Sequence, residues 1–101
     1  MSIKVNRNEE IIVIIPDCKL DTNGSADLQN VIDGIFKEEA NAKIAVDFSL
    51  VPFISSAGLR VLSLAMKKTK AAGGSLELRN VSDFIREVFN TTGFSSIMKI
   101  V

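Results

Sequence analysis

The feature that most constrains this chain is an alternation between two hydrophobic periods. Short apolar runs of strand length take turns with apolar stripes of helical period, separated by polar or glycine-rich breaks. Ser2 to Arg7 alternates, with Ile3 and Val5 on one side. After a polar turn, Asn8-Glu9-Glu10, comes Ile11-Ile12-Val13-Ile14-Ile15, a β-branched run that Pro16 is expected to stop. Two strands this close in sequence predict an antiparallel pair, and the unbroken run predicts that the second is buried on both faces. Asp17 to Gly24 reads as loop. From Ser25 to Glu39, residues Leu28, Val31, Ile32, Ile35 and Phe36 fall at i, i+3, i+4, i+7 and i+8, one apolar stripe on a helix. Gly34 within it costs roughly 1 kcal/mol relative to Ala, which suggests close packing there.

Lys43 to Phe48 reads as a central strand. Ser56 to Ala72 reads as a helix with Leu59, Leu62, Met66 and Thr69 at core spacing, ended by Gly73-Gly74. Leu76 to Arg79 alternates as a half-exposed strand. Ser82 is a suitable cap for a third helix in which Phe84, Ile85, Val88 and Phe89 are the expected buried positions, closed by Gly93. The tail, Ile97 to Val101, reads as a last short strand or a docked helical turn.

The order β-β-α-β-α-β-α predicts an α/β domain with a mixed, mostly parallel sheet of about four to five strands and helices packed on it. The 101 residues fit a single domain, 1–101, and a 47% hydrophobic content can build its core without staples. The single cysteine, Cys18, excludes an internal disulfide and suits a loop or core residue better than a redox centre. The start, MSIKVNRNEE, has no apolar leader, and no run approaches the ~20 residues of a membrane span, so no membrane is expected as a partner and a cytoplasmic location is expected. Twelve basic against twelve acidic residues, with six Phe and no Trp or Tyr, give no case for nucleic acid. The absence of histidine removes Ser-His-Asp and Cys-His machinery and imidazole metal sites; with one cysteine only carboxylate-based hard-metal sites stay conceivable, and neither a catalytic site nor a bound metal is expected.

The informative stretch is Val46-Asp47-Phe48-Ser49-Leu50-Val51-Pro52-Phe53-Ile54-Ser55-Ser56-Ala57-Gly58-Leu59-Arg60-Val61-Leu62: a buried strand, a loop, two serines and a helix start. A serine there can simply cap the helix. A helix start also tolerates an anion, because free N–H groups and the positive dipole end meet there. A phosphoserine, carrying roughly −1.5 to −2 charges, would change that surface without unfolding the domain. Phe53 reads either as an exposed apolar anchor or as a side chain buried beneath the loop. Arg60, Ser63, Lys67 and Lys70 share one helical face, a solvated one or part of a docking surface.

The run Asp47-x-Ser49-x-Val51-x-Phe53-Ile54-Ser55-Ser56-Ala57-Gly58-Leu59 resembles the signature of STAS domains, particularly bacterial anti-sigma factor antagonists. Lys19-Leu20-Asp21-Thr22 is similar to the family's loop before its first helix. With the order of elements, the resemblance extends over essentially the whole chain. It implies that Ser56 is the phosphorylated serine, with Ser55 the second candidate, that Asp21 sits near it, and that Gly58 permits close backbone approach. Asp21, Ser55, Ser56, Ala57, Gly58 and Arg60 are the partner-binding set it implies. Ser55 stands where many members have Asp, and Cys18 replaces a usual Gly. The implied role is a non-enzymatic switch. The unphosphorylated protein binds an anti-sigma factor that is also a serine kinase and releases a sigma factor; phosphorylation of Ser56 ends binding, and a PP2C-like phosphatase reverses it. No cofactor is implied, because ATP belongs to the partner kinase. The alternative within the same family is an accessory subunit of a transporter ATPase or a stressosome-like assembly, binding without a phospho-switch.

Two rival classes fit poorly. A receiver domain phosphorylated on Asp47 wants an acidic pair after its first strand, whereas Ile15-Pro16-Asp17 offers one acid, so Asp47 reads as bonding the turn after its strand. Ile54-Ser55-Ser56-Ala57-Gly58 is not the Gly-x-Ser-x-Gly elbow of a serine hydrolase.

Overall fold

A computed structural model describes residues 2–101, with Ser2 described by its backbone only. The chain runs β1 (Ser2–Arg7), β2 (Ile12–Asp17), α1 (Thr22–Glu38), β3 (Lys43–Asp47), α2 (Ser56–Ala72), β4 (Ser75–Arg79), α3 (Asp83–Thr91), a 3-10 turn (Phe94–Ser96) and β5 (Lys99–Ile100). The five strands lie in sequence order, β1 antiparallel to β2 and the others parallel. Each crossover therefore advances the same way across the sheet. Right-handed crossovers all running in one direction place all three helices on one face and leave the other open.

The register confirms this one-sidedness. Ile12, Ile44 and Leu76 stand side by side, as do Ile14, Val46 and Leu78, and all six are buried. β1 adds Ile3 opposite Pro16 and Val5 opposite Ile14, both packed on the same core. The helices cover these rows with Leu28, Ile32 and Ile35 from α1, Val61, Leu62 and Ala65 from α2, and Ile85 and Phe89 from α3. Phe89 meets Phe48 edge-on at 6.0 Å and Phe94 at 5.2 Å. Each fully buried side chain of this size contributes about 1.5–3 kcal/mol, against about 0–1 kcal/mol for a surface ion pair such as Lys68–Asp33, so the core rows hold the fold. On the open face Glu77 lies between Arg79 and Lys99.

Several expectations hold. Asn8 Oδ1 accepts from the N–H groups of Glu10 and Ile11 and makes the β1–β2 turn. Gly73, at φ 79°, ends α2, and Ser82 caps α3 by accepting from the Ile85 N–H at 3.2 Å. The tail forms the short strand β5.

Others are corrected. β2 is not buried on both faces: Val13 and Ile15 are half-buried, because no helix covers their side. Nor does Pro16 end the strand. It lies beyond the last β2–β3 pair, Ile14↔Val46, so its missing N–H breaks no parallel rung. α1 begins at Thr22 rather than Ser25, because Asp21 caps it. Gly34 is exposed and a Cβ there would meet nothing within 4 Å, so close packing does not explain it. Phe84 is 62% exposed, since the single buried stripe of α3 is taken by Ile85 and Phe89.

Candidate functional site

The C-terminal end of the sheet gathers the loops that precede α1, α2 and α3. Asp47 closes β3, and its Oδ1 accepts from the Ser49 N–H at 2.9 Å and the Asn80 side-chain amide at 3.1 Å. Asn80 adopts φ 56°, a left-handed conformation that Asn tolerates. The Phe48 N–H donates to the Arg79 carbonyl at 2.8 Å. The expected structural role of Asp47 is therefore present, and it ties the β3–α2 loop to the β4–α3 turn. Partial burial pushes the Asp47 carboxyl up, but the bonds from Ser49 and Asn80 outweigh that and hold it below the usual range.

A second tie joins the starts of α1 and α2. Leu20 and Ile54 form an isolated parallel bridge: Leu20 N–H donates to Phe53 C=O, and Ser55 N–H donates to Leu20 C=O, both at 2.9 Å. The same Leu20 carbonyl accepts from the hydroxyls of Ser55 at 2.7 Å and Ser25 at 3.1 Å. Three donors on one carbonyl fix the two helix starts side by side. The approach is close enough to require glycine. A Cβ on Gly58 would stand 2.7 Å from Ile54 Cγ1 and 3.1 Å from the Leu20 oxygen, and one on Gly24 would stand 1.9 Å from the Lys19 carbonyl oxygen.

This arrangement gives the two serines different work. Ser55 is the N-cap of α2: its Oγ accepts from the Gly58 N–H at 3.4 Å while its proton goes to Leu20. Ser56 is the first helical residue and exposed, and its hydroxyl makes no hydrogen bond among the described residues. Asp21 caps α1, accepting from the Gly24 N–H at 2.9 Å.

Between the two helix starts lies an open groove of about 570 Å³. Of the residues singled out from sequence, Ser56, Ala57 and Arg60 line it. Ser55 and Gly58 lie beneath it in the Leu20 tie, and Asp21 stands at the start of α1 outside the lining. Across from Ser56, α1 contributes Thr22, Ser25 and Gln29, none of which was anticipated. Ser25 left a sequence signal as a polar residue three positions before Leu28 on the α1 stripe, and Thr22 as the last residue of the Lys19-Leu20-Asp21-Thr22 loop. Leu50 is 50% and Phe53 41% exposed in the loop that leads to Ser56, which settles Phe53 as exposed and adds Leu50.

An exposed hydroxyl at the first position of a 17-residue helix is well placed to accept an anionic group, because the first-turn N–H groups and the dipole favour negative charge there. The one ionisable side chain in the groove lining is Arg60. Cys18 is quiet: burial, then Asp27, Asp21 and Asp17, push its thiol up, so the thiolate is scarce. No helix among the described residues is long and apolar enough to cross a membrane.

The family model described as the STAS domain matches residues 2–101. BtrV of Bordetella bronchiseptica, which is named an anti-sigma factor antagonist, is 33% identical, the match covering 81% of this chain and 80% of that protein. The anti-sigma-B factor antagonist of Bacillus subtilis is 27% identical, over 99% of this chain and 90% of its own. Among solved structures, the anti-sigma factor antagonist SpoIIAA in its unphosphorylated form superposes with a TM-score of 0.77 at 22% identity, covering 99% of this chain and 87% of that one. Its phosphorylated form, from Bacillus, gives 0.76 at 23% identity, with 99% and 91% covered. At these identities the structures establish a shared fold.

Proposed function

The chain belongs to the STAS domain family, and on that premise we propose that it works as an anti-sigma factor antagonist switched by phosphorylation of Ser56. The observation that carries the reading is the division of labour between the adjacent serines. Ser55 is consumed by the Leu20 tie and the α2 cap, whereas Ser56 offers a free, exposed hydroxyl on the groove. Any kinase reaching this turn meets Ser56 as the available acceptor.

In the unmodified state the groove lining beside Ser56 is uncharged apart from Arg60, and the apolar side chains of Leu50 and Phe53 are exposed nearby in the chain. A partner fitted to that surface, an anti-sigma factor with serine kinase activity, docks against the groove and this loop and gives up its sigma factor. Transfer of the ATP γ-phosphoryl group to Ser56 Oγ then places a dianion where the partner expects a hydroxyl. A charge left buried and unpaired costs the complex several kcal/mol, so it dissociates. The first-turn N–H groups accommodate the same charge without loss of fold. A PP2C-like phosphatase returns the hydroxyl. The protein acts as substrate and binding partner in the cytoplasm, with no cofactor or metal of its own.

The test is to incubate the chain with the anti-sigma factor kinase from its own genome and ATP, and to map the modified residue by mass spectrometry. Modification at residue 56, lost in Ser56→Ala and retained in Ser55→Ala, supports the reading. Modification at residue 55, or none while both serine variants bind a transporter ATPase or a large scaffold, overturns it.

A further inference from the structure

Arg60 lies one helical turn beyond Ser56 on α2, and both line the groove between α1 and α2. It is the one charged side chain in that lining, and among the described residues it makes no ion pair. From α1 the groove receives Thr22, Ser25, Ala26 and Gln29, none of them ionisable, and Asp21 remains at the start of α1 outside it. An exposed guanidinium with no carboxylate of its own is therefore held on the groove wall that carries the free serine.

We infer that Arg60 is the built-in counter-ion of the phosphorylated form, closing over a phosphate on Ser56 from the next turn of the same helix. The inference rests on the proposed phosphorylation of Ser56. Residues at i and i+4 on a helix stand about 5–6 Å apart at Cβ, and an anion placed N-terminal to a cation is the favourable order. Guanidinium matches phosphate geometry with paired N–H donors, which Lys cannot reproduce. The phosphate so held sits between the first-turn N–H groups and Arg60, both favouring its dianionic state. The contact also withdraws Arg60 from any acidic group of a docked partner, so one modification both adds a charge and removes one from the surface.

The experiment uses the full chain with phosphoserine placed at position 56 during translation, so that it depends on no kinase. The second ionisation of the phosphate is followed by ³¹P NMR in the parent, Arg60→Gln and Arg60→Lys. The two protonation states differ by one unit of charge, and a helix pair of ordinary strength then raises the midpoint in Arg60→Gln by about 0.2–0.4 pH unit. Arg60→Lys is expected to fall between the two. Melting of the unphosphorylated variants controls for folding, which the exposure of Arg60 favours. Midpoints that agree within about 0.1 pH unit across all three proteins overturn the inference. Failure of a kinase to modify Ser56 would instead remove the functional reading and leave this result standing.

Discussion

Ser55→Ala and Ser56→Ala change adjacent serines by the same single oxygen, and the structure assigns them very different consequences. Ser55 Oγ donates to the Leu20 carbonyl at 2.7 Å in a part-buried setting and accepts from the Gly58 N–H at 3.4 Å. The first bond is short, and losing it costs about 1 kcal/mol; Leu20 keeps its other two donors, so its oxygen is not orphaned. The cap bond is long, which places it at the weak end of N-cap values, about 0.5–1 kcal/mol. Together Ser55→Ala costs roughly 1.5–2 kcal/mol, and at about 4–8 °C per kcal/mol for a domain of this size the melting temperature falls by roughly 6–16 °C. Ser56 forms no bond to lose and sits in a helix, where Ala is the better former, so Ser56→Ala stays within about 0.5 kcal/mol of the parent. Thermal unfolding by circular dichroism on the three unphosphorylated proteins decides the matter. Equal melting temperatures for the two variants would refute the assignment of Ser55 to structure and Ser56 to the surface.

Other perturbations read other parts of the account. Gly34→Ala should stabilise by about 1 kcal/mol in chemical denaturation, because Gly34 lies inside α1 and its Cβ would meet nothing within 4 Å. Asp21→Ala should cost about 1 kcal/mol through loss of the α1 cap, while Asp21→Asn keeps the cap and isolates any effect on phosphorylation, which a melting curve beside a kinase assay would separate. Asp47 has its carboxyl held down in the folded state, so the stability it supplies is present above the unfolded carboxylate range and fades as pH falls through the lower folded value. The difference in melting temperature between the parent and Asp47→Asn should accordingly shrink once pH drops below about 4, and a difference that grows there would contradict the Ser49 and Asn80 bonds as its cause.

Much of the fold was legible because period and position agree. The helical stripe of α1 and the alternation of β4 follow directly from which faces meet the sheet, whereas in α2 Leu62 and Thr69 are buried as expected but Leu59 and Met66 are half-buried and Val61 and Ala65 take the core positions. What failed were inferences that needed the third dimension. The run Ile11 to Ile15 reads as doubly buried, but three crossovers advancing one way leave one face of the sheet open, and Val13 and Ile15 face that side. Phe84-Ile85 and Val88-Phe89 are two adjacent apolar pairs, and a nine-residue helix can bury one member of each. The start of α1 was hidden because Asp21-Thr22-Asn23-Gly24 has turn chemistry, whereas Gly24 is small to clear the Lys19 carbonyl rather than to bend the chain. At the site, the serine pair was visible but its division of labour was not, since it depends on a carbonyl 35 residues away. The acceptor in the Leu20 tie is a backbone carbonyl, which leaves no mark in side-chain pattern.

The most direct test of the central claim is the affinity of the chain for the proposed anti-sigma factor kinase, measured by calorimetry with the unmodified protein and with phosphoserine at position 56. Desolvating a phosphate, even one paired with Arg60, against a surface fitted to a hydroxyl costs at least about 2 kcal/mol, so the account predicts that binding weakens by roughly 30-fold or more on phosphorylation, while Ser56→Ala binds as the parent does. Equal affinity of the phosphorylated and unmodified chains would contradict it.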